Sequence, residues 1–259
     1  APSPVRYPSN LLTMHIYPYK LRVLTPPKDD LKAAIRASKL TLREGDIIAV
    51  SSKVVSIGEG ACVPINGGDK KKLVISEAQW YRHVPRAPHK KLFTIARGVI
   101  TGSSGIDESN GNGHYILYPK NPFKSARGLR SWFQKTYGVK KIAVIITDSK
   151  SDLLRRGATG FALAWDGIDP LRDYRGELDL FGRPIRIEMA NLVDALAATA
   201  GLSMGEVAER TPVVVLRSVP NIVFRNRLPK LDQLIVRPDE DIFAPVMFRP
   251  RWKRGGGKK

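Results

Sequence analysis

The amino-acid composition describes a basic protein with enough apolar residues to fill a core. The chain has 259 residues, of which 42% are hydrophobic, and its formal net charge is +19. This length allows one large domain or two small ones. The single cysteine, Cys62, excludes an internal disulfide bond. No apolar run approaches the roughly 20 residues that a membrane-spanning helix needs, so no such helix is expected.

The positive charge is concentrated at the carboxyl end but is not confined to it. Residues 249–259 carry six basic side chains and no acid, and removing these six from +19 still leaves +13. We expect a folded domain over residues 11–247 and a disordered basic tail over residues 248–259. A positive field attracts nucleotides, anionic cofactors and nucleic acid alike, and weak nucleic-acid association through the tail is one alternative. The first ten residues lack the apolar core of an export signal, which favours the cytoplasm.

Apolar patterns predict strands and helices that alternate irregularly along the chain. In chain order, the predicted elements are a strand (11–17), a helix starting at Lys28 or Asp29, a strand (47–50) followed by extended residues (54–55), a short helix (76–83), two strands (92–100 and 115–118), a helix (125–137), three strands (142–146, 161–165 and 185–189), a helix (192–200) and a strand (212–216).

Individual residues support these elements and the fold class. Leu31, Ala34 and Ile35 repeat at helical spacing, and Asn191 is a favourable N-cap for the helix that follows it. The chain lacks the even β-α-β rhythm of a dinucleotide-binding fold. The predicted class is therefore α+β (mixed α/β), built around more than one sheet.

Three acidic residues stand out because of their positions. Asp107 lies in the glycine-rich loop 101–113, Asp148 follows the apolar strand 142–146, and Glu206 lies just past a helix. Carboxylates at the ends of strands and helices can converge in a cleft while their backbones stay anchored in the core. Mg²⁺ or Mn²⁺ prefers such oxygen ligands. Each acid taken singly is typical of a turn cap, so the sequence leaves the convergence open.

Neighbouring polar residues extend this candidate site. Ser149 and Asn110 offer a hydroxyl group and an amide oxygen. Arg155 and Arg156 are a candidate anion clamp, because guanidinium groups bind phosphate or carboxylate through two parallel donors; an exposed basic turn is the equal alternative. The glycines of 101–113 would let backbone amides approach a phosphate. The standard nucleotide-binding fingerprints are absent from the sequence.

A set of segments in order resembles one enzyme family. The segments are GDIIAVSSKVVSIGEG (45–60), GIDESN (105–110), VIITDS (144–149), RRGATGFALA (155–164), DYRGELDLFGR (173–183), VDALAATAGLSMGE (193–206) and PVVV (212–215). They cover most of residues 11–217, and through them the chain resembles the coenzyme F420-0:L-glutamate ligase family of γ-glutamyl ligases. Residues 105–122 and 239–246 are more similar to a bacterial subgroup described as folate γ-glutamate ligases.

The resemblance implies a ligase that forms a carbon–nitrogen bond. Such an enzyme would join L-glutamate to a carboxylate of coenzyme F420-0 or of a folate, and it would have the γ-glutamyl ligase-type fold in an intertwined homodimer. GTP or ATP is the implied co-substrate, with two Mg²⁺ or Mn²⁺ ions and K⁺ as an additional ion. Because a carboxylate oxygen is a poor leaving group, the implied route passes through an acyl phosphate that the amine of glutamate attacks.

The resemblance also assigns roles to residues, position by position. Asp107 and Asp148 would bind one metal ion, and Ser149 with Glu206 a second. The implied nucleotide contacts are Leu24, Thr25, Pro26, Pro27, Ser52, Asn110 and the segment 204–211, with Met204, Gly205, Glu206 and Thr211 as its named residues. Ile57 stands where the family usually has a basic residue. Residues 60–100 are shorter than the usual segment and match it poorly, so the acceptor pocket is expected to differ.

Two alternatives use the same residues differently. A carboxylate-metal phosphohydrolase would use the three acids to activate water rather than to hold a triphosphate. A basic nucleic-acid-binding protein would need no catalytic acid, and its affinity would fall steeply with added salt.

Overall fold

A five-stranded sheet with helices on both faces forms the centre of the protein. The computed structural model describes residues 13–66, 68–84, 92–237, 239–247 and 253–257. Its strands are β1 (His15–Tyr19), β2 (Ile47–Ser51), β3 (Cys62–Pro64), β4 (Trp80–His83), β5 (Leu92–Ala96), β6 (Val99–Gly102), β7 (His114–Ile116), β8 (Ala143–Lys150), β9 (Thr159–Asp166), β10 (Leu171–Asp173), β11 (Met189–Asn191), β12 (Val213–Arg217) and β13 (Lys253–Arg254). Its helices are α1 (Leu31–Ala37), α2 (Ser52–Glu59), α3 (Lys70–Glu77), α4 (Pro122–Tyr137), α5 (Leu192–Met204) and α6 (Ala244–Met247).

The sheets agree with the predicted α+β class. The central sheet has the strand order β1-β12-β2-β8-β9, in which β2 and β8 run parallel and the other neighbours antiparallel. A second sheet has the order β13-β4-β5-β6, and β3–β7 and β10–β11 form two-stranded ribbons. Because β2 and β8 are parallel, their carboxyl ends lie at the same edge of the central sheet.

Alternate residues of the central strands enter different cores. Ile48 and Val50 of β2 pack in the core that includes α1, α2 and α4, whereas Ile47 and Ala49 pack in the core that includes α5. Successive side chains of a strand point to opposite faces. Since both faces are covered, these strands appear in the sequence as continuous apolar runs.

The N-cap predicted at Asn191 is present at the start of α5, whereas α1 begins at Leu31 rather than at Lys28 or Asp29 and has Asp30 as its cap. The Asp30 carboxylate accepts a hydrogen bond from the backbone N–H of Ala33 at 2.9 Å, and the Asn191 side chain accepts one from the N–H of Asp194 at 3.1 Å. Each cap satisfies a donor that the first turn of a helix otherwise leaves unpaired.

Two predictions for the first half of the chain are wrong. Residues 54–55 are not extended but lie in α2, because Val55 and Ile57 are buried against the core and this burial outweighs the strand preference of β-branched residues. Residues 76–83 do not form a helix: α3 ends at Glu77 and β4 follows.

Two predicted strands have different bounds in the structure. The strand predicted over residues 92–100 is divided into β5 and β6 by a turn in which Arg97 and Gly98 both have positive φ. Of residues 185–189, only Met189 belongs to a strand, β11. Of the alternating apolar side chains before it, Ile185 is partly buried and Ile187 is 84% exposed.

Part of the carboxyl tail is paired, although the sequence predicts disorder for residues 248–259. Lys253 and Arg254 lie opposite Tyr81 and Trp80 in an antiparallel ladder. The guanidinium of Arg254 also lies 4.6 Å from the centre of the Trp80 ring. Residues 11–12, 248–252 and 258–259 lie outside the described residues, so the predicted domain limits stay predictions. Among the helices that the structure describes, none is long and apolar enough to cross a membrane.

Candidate active site

The carboxyl ends of β2 and β8 meet at one edge of the central sheet. Ser51 of β2 lies beside Thr147 of β8, and Asp148 and Ser149 continue β8 beyond this pair. β2 leads directly into α2, so Lys53 lies in the first turn of that helix. In open sheets, ligands bind at the carboxyl ends of parallel strands.

Asp107 reaches this edge from the glycine-rich loop, and its backbone is anchored to β7. Its N–H and carbonyl group form hydrogen bonds with Ile116 of 3.0 and 2.8 Å. Its carboxylate accepts from the N–H and hydroxyl group of Ser109 at 2.8 and 3.0 Å and lies 2.7 Å from the Lys53 ammonium. Burial acts to raise the pKa of Asp107, but the contacts with Lys53 and Ser109 together lower it below its ordinary value.

The pKa of Asp148 is shifted in the opposite direction, upward. Burial raises the pKa of this half-buried carboxyl group to about 6, and the nearby charge of Asp107 adds to the rise. The buried hydroxyl group of Tyr118 lies beside Asp148 and has no hydrogen-bond partner of good geometry in the part of the chain that is described. The two acids are thus close enough to influence each other's ionisation, and a bound cation would relieve their repulsion.

Glu206 approaches the same edge from the end of α5. The hydroxyl group of Ser149 donates a long hydrogen bond of 3.4 Å to the Glu206 carboxylate. The hydroxyl group of Thr211 contacts the carbonyl oxygens of Ser203 and Met204, at 2.9 Å each, and so holds the loop after α5 against the end of the helix.

The loops that carry Asp107 and Glu206 are joined directly. The Asn110 amide donates to the carbonyl oxygen of Val207 at 2.8 Å. The carboxylate of Glu209 accepts from the N–H of Val207 at 2.9 Å. These two contacts fix the segment after α5 relative to the glycine-rich loop.

Close packing of β9 on α5 brings the helix near to β8. Gly160 lies opposite Ser149 in the β8–β9 ladder. A Cβ atom at Gly160 would lie only 2.7 Å from the carbonyl oxygen of Ala197, so glycine is what allows this approach. The Asp194 carboxylate also accepts from the N–H of Ala162 at 2.8 Å, which ties the start of α5 to β9.

These elements enclose one cavity of about 380 Å³. This volume lies in the range of small-molecule sites. The predicted site residues that line it are Leu24, Asp107, Asn110, Asp148, Ser149, Met204, Gly205, Glu206 and Thr211. The wall also contains Arg210, within the segment 204–211 that the resemblance assigns to the nucleotide, and Arg22, Ser51, Lys53, Ser109 and Thr147, which the sequence did not single out as site residues.

Other predicted residues lie outside this wall. They are Thr25, Pro26, Pro27, Ser52, Arg155 and Arg156. The N–H of Thr25 donates to the Asp29 carboxylate, and Ser52 is buried at the start of α2. The two consecutive arginines are exposed on the turn between β8 and β9, so their geometry gives no support to an anion clamp in this cavity.

Lys53 and Arg22 are basic residues of the wall that the sequence did not assign to the site, whereas Arg210 lies in the segment 204–211 that the resemblance assigns to the nucleotide. Lys53 is the second residue after the buried strand β2, at the carboxyl end where ligands bind. Arg22 pairs with Asp29 at 2.6 Å, and the guanidinium of Arg210 donates to the carbonyl oxygen of Leu21 at 3.1 and 3.2 Å. No local pattern predicts these two contacts.

The oxygen groups of the cavity suit a hard divalent cation. Asp107, Asp148, Ser149 and Glu206 supply carboxylate and hydroxyl oxygens, which Mg²⁺ and Mn²⁺ prefer. Within the described ranges, no three His, Cys, Asp or Glu side chains lie close enough to form a metal-binding group. A cation here would therefore take one or two carboxylates and complete its shell with hydroxyl groups, water and ligand oxygens. The raised pKa of Asp148 beside Asp107 supports this fit.

Comparisons with known proteins identify the family of the chain. The sequence profile of the family described as F420-0:Gamma-glutamyl ligase matches residues 22–218. The coenzyme F420:L-glutamate ligase of Methanopyrus kandleri is 34% identical over 252 residues, which cover 90% of this chain and 98% of the relative. The enzymes of the same name from Methanococcus maripaludis strain C6 and Methanocaldococcus jannaschii are each 33% identical, over 80% and 78% of this chain and 88% and 86% of the relatives. The chain therefore belongs to the F420-0:γ-glutamyl ligase family, and it is a ligase that forms carbon–nitrogen bonds.

Proposed function

We propose that the protein joins the amine of L-glutamate to a carboxylate of coenzyme F420-0 or of a folate, with consumption of a nucleoside triphosphate. One observation carries this proposal: Asp107, Asp148 and Glu206, from three separate elements, line a single cavity. The names of the relatives favour the F420-type acceptor, while residues 105–122 and 239–246 are the reason to test a folate beside it.

The acids of the cavity would hold Mg²⁺ or Mn²⁺. When bound, divalent cations neutralise the crowded anionic oxygens of a triphosphate. Asp107 and Asp148 would hold one ion, and Ser149 and Glu206 a second, with K⁺ as an additional ion. The hydroxyl–carboxylate contact between Ser149 and Glu206 supports this division into two pairs.

GTP or ATP would lie along the wall formed by Leu24 and residues 204–211. Lys53 and Arg22 would add positive charge there, and the Asn110 amide would add a polar contact. Phosphoryl transfer is catalysed mainly by positioning and by charge neutralisation. A cavity with carboxylates for cations and basic side chains for phosphate oxygens supplies both.

The amide bond needs an activated carboxyl group. Transfer of the γ-phosphoryl group to the acceptor carboxylate produces an acyl phosphate and a nucleoside diphosphate. The amine of glutamate then attacks the carbonyl carbon, so that the carbon–nitrogen bond forms and inorganic phosphate leaves. The cavity's contribution is to hold the reacting groups together and to limit the access of water.

We infer a homodimer from the apolar loop between β10 and β11. Leu180 and Phe181 are 96% and 87% exposed, an unusual exposure for adjacent large apolar side chains. Burial of this loop against a second copy would remove them from water. Light scattering of the Phe181→Asp variant should then give a monomer mass, while Leu154→Asp, at an exposed apolar residue on another turn, should leave the dimer intact.

Product analysis tests the proposed reaction directly. The full chain is incubated with Mn²⁺, L-glutamate, GTP or ATP, and either F420-0 or a folate, and the products are measured by mass spectrometry. A ligase produces an acceptor heavier by one glutamyl unit and consumes nucleotide only when glutamate and acceptor are both present. Asp107→Asn and Asp148→Asn should each reduce the rate at least 100-fold, whereas Asp239→Asn, at an exposed ion pair, should not.

The same assay separates the alternatives. Nucleotide hydrolysis at full rate without glutamate would support the phosphohydrolase. Retention of nucleic acid that is lost on addition of salt, with no glutamyl product from either acceptor, would support the basic binding protein.

A further inference from the structure

A groove of about 1080 Å³ lies on the other side of α2 from the acid-lined cavity. Lys53 and Ile57 of α2 face the cavity, whereas Val55 and Glu59 of the same helix face the groove. The remaining groove wall consists of residues from the start of α1, the loop before α4 and the first half of α4. None of the residues assigned to the proposed reaction lines this groove.

The groove carries four lysines that are not ion-paired. They are Lys28, Lys32, Lys120 and Lys124. Over the described residues, none of the four lies within 4.0 Å of a carboxylate oxygen. The ammonium group of Lys32 lies 5.9 Å from the centre of the Trp132 ring. Their charges are therefore available to a ligand.

The acids of the groove are already engaged. Asp29 pairs with Arg22 at 2.6 Å, and the Asp30 carboxylate caps α1. The Glu59 carboxylate accepts a hydrogen bond from the hydroxyl group of Ser125. Asp29 is neutralised by an arginine outside the groove, whereas Asp30 and Glu59 keep their charge. Four lysines against these two carboxylates leave the groove with a net charge of +2. This excess of positive charge attracts anions.

Gly128 is a second, independent observation. It lies in the interior of α4 and lines the groove, yet a Cβ atom added there would meet no atom within 4 Å outside its own helix. Glycine is a poor helix former, so a glycine in a helix interior usually has a packing reason. Among the described residues no atom packs on this position, and the exposed surface of Gly128 is open to a ligand that lies against the helix.

We propose that this groove binds a small organic anion with at least two carboxylate or phosphate groups. The lysines bind the anionic groups as point charges. Leu31, Val55 and Leu129 provide an apolar floor for the carbon skeleton of the ligand. Gly128 allows the ligand to approach the backbone of α4. This is a site separate from the acid-lined cavity, and it needs no metal ion.

Calorimetric titrations of the full chain in EDTA test the proposal with two probes, inorganic tripolyphosphate and tri-γ-L-glutamate. The variant Lys120→Met/Lys124→Met should raise the Kd of the tighter probe at least tenfold. The matched control Arg127→Met/Lys135→Met removes two exposed charges of α4 that do not line the groove, and it should change Kd less than twofold. The tighter probe identifies the anionic group as phosphate or carboxylate. An equal loss in both double variants, or no binding of either probe at millimolar concentration, would overturn the site.

Gly128→Ala provides the second test, and it keeps every charge. Without a ligand, the better helix former should raise Tm by about 2–4 °C. If a ligand lies against α4, the same variant should weaken probe binding at least fivefold. A higher Tm with unchanged Kd would overturn the placement of the ligand over Gly128. Because neither test measures product formation, failure of this proposal is distinguishable from failure of the proposed ligase reaction.

Discussion

The ammonium group of Lys53 lies 2.7 Å from the carboxylate of Asp107 and also donates to the carbonyl and hydroxyl oxygens of Ser109, at 3.1 and 2.9 Å. Lys53 belongs to α2, whereas Asp107 belongs to the glycine-rich loop, so this ion pair connects two walls of the acid-lined cavity. In the metal-free protein, the lysine provides the positive charge that offsets Asp107. A divalent cation that binds Asp107 has to compete with it.

Replacement of Lys53 by methionine should therefore tighten the binding of Mn²⁺ to the nucleotide-free protein. An ion pair of this partial exposure contributes up to about 1 kcal/mol, which corresponds to about fivefold in affinity. Titration of Mn²⁺ followed by electron paramagnetic resonance measures the change. Lys70→Met is the control, since Lys70 pairs with Glu108 at 2.8 Å but does not line the cavity. Unchanged or weaker Mn²⁺ binding in Lys53→Met would contradict the competition.

The raised pKa of Asp148 predicts a pH-dependent gain in stability for Asp148→Asn. The folded-state pKa of about 6 is above the ordinary value of 3.8, so the folded protein holds this proton more tightly than the unfolded chain does. Ionisation of Asp148 therefore lowers the free energy of unfolding, and this loss grows as the pH rises from 4 through 6. In EDTA, Asp148→Asn should raise the free energy of unfolding by about 1–2 kcal/mol at pH 8 and by almost nothing at pH 4. Urea unfolding at pH 4 and at pH 8 measures the change in the free energy of unfolding. An equal change at the two pH values would contradict the prediction.

Gly160→Ala should destabilise the protein by about 1–3 kcal/mol, because the new methyl group would overlap the backbone of α5. The Cβ atom would lie 2.7 Å from the carbonyl oxygen of Ala197 and 3.0 Å from the Cα atom of Ala198, and a backbone cannot rotate away as a side chain does. Urea unfolding measures the loss. At Gly68 an added Cβ would have no neighbour within 4 Å among the residues that the structure describes, so Gly68→Ala should be close to neutral. Similar values for the two variants would contradict the close-packing argument.

Arg217→Met should cost about 3–5 kcal/mol of stability, since it would leave a buried carboxylate without its charged partner and with only the backbone N–H of Arg43, at 2.7 Å, to neutralise it in part. The guanidinium of Arg217 donates to both oxygens of Asp46 at 2.8 and 2.7 Å, and Asp46 is fully buried. The free energy of unfolding in urea checks this. Arg225→Met, which breaks an exposed contact with Asp169, should cost less than about 1 kcal/mol. A loss at Arg217 as small as that at Arg225 would show that the buried pair does not stabilise the fold.

The sequence predicts the acidic part of the candidate site better than the basic part. The three acids lie either at the end of an apolar element (Asp148 and Glu206) or in a glycine-rich loop (Asp107). Such positions can be recognised from the amino-acid sequence alone. All three line the same cavity in the structure. Arg22 and Arg210 enter the wall through contacts with Asp29 and a backbone carbonyl, and no periodicity encodes these contacts.

The fold, too, is predictable from the sequence in some parts and not in others. Strands buried on both faces, such as β2 and β8, are apparent as apolar runs, and the cap at Asn191 marks the start of α5. The helix α2 is not predictable from propensity, because Val54 and Val55 favour extended chain and only tertiary burial makes them helical. The strand predicted over residues 185–189 is wrong for a different reason. The loop between β10 and β11 has the alternating apolar pattern of a half-buried strand, but most of its large apolar side chains are exposed.

The position of α2 has a consequence for regulation. This eight-residue helix forms part of the wall of the acid-lined cavity on one side and of the lysine-lined groove on the other. A molecule that shifts the helix from either side therefore alters both walls at once. Thermodynamic reciprocity then requires that occupancy of the groove and occupancy of the cavity change each other's dissociation constant by the same factor.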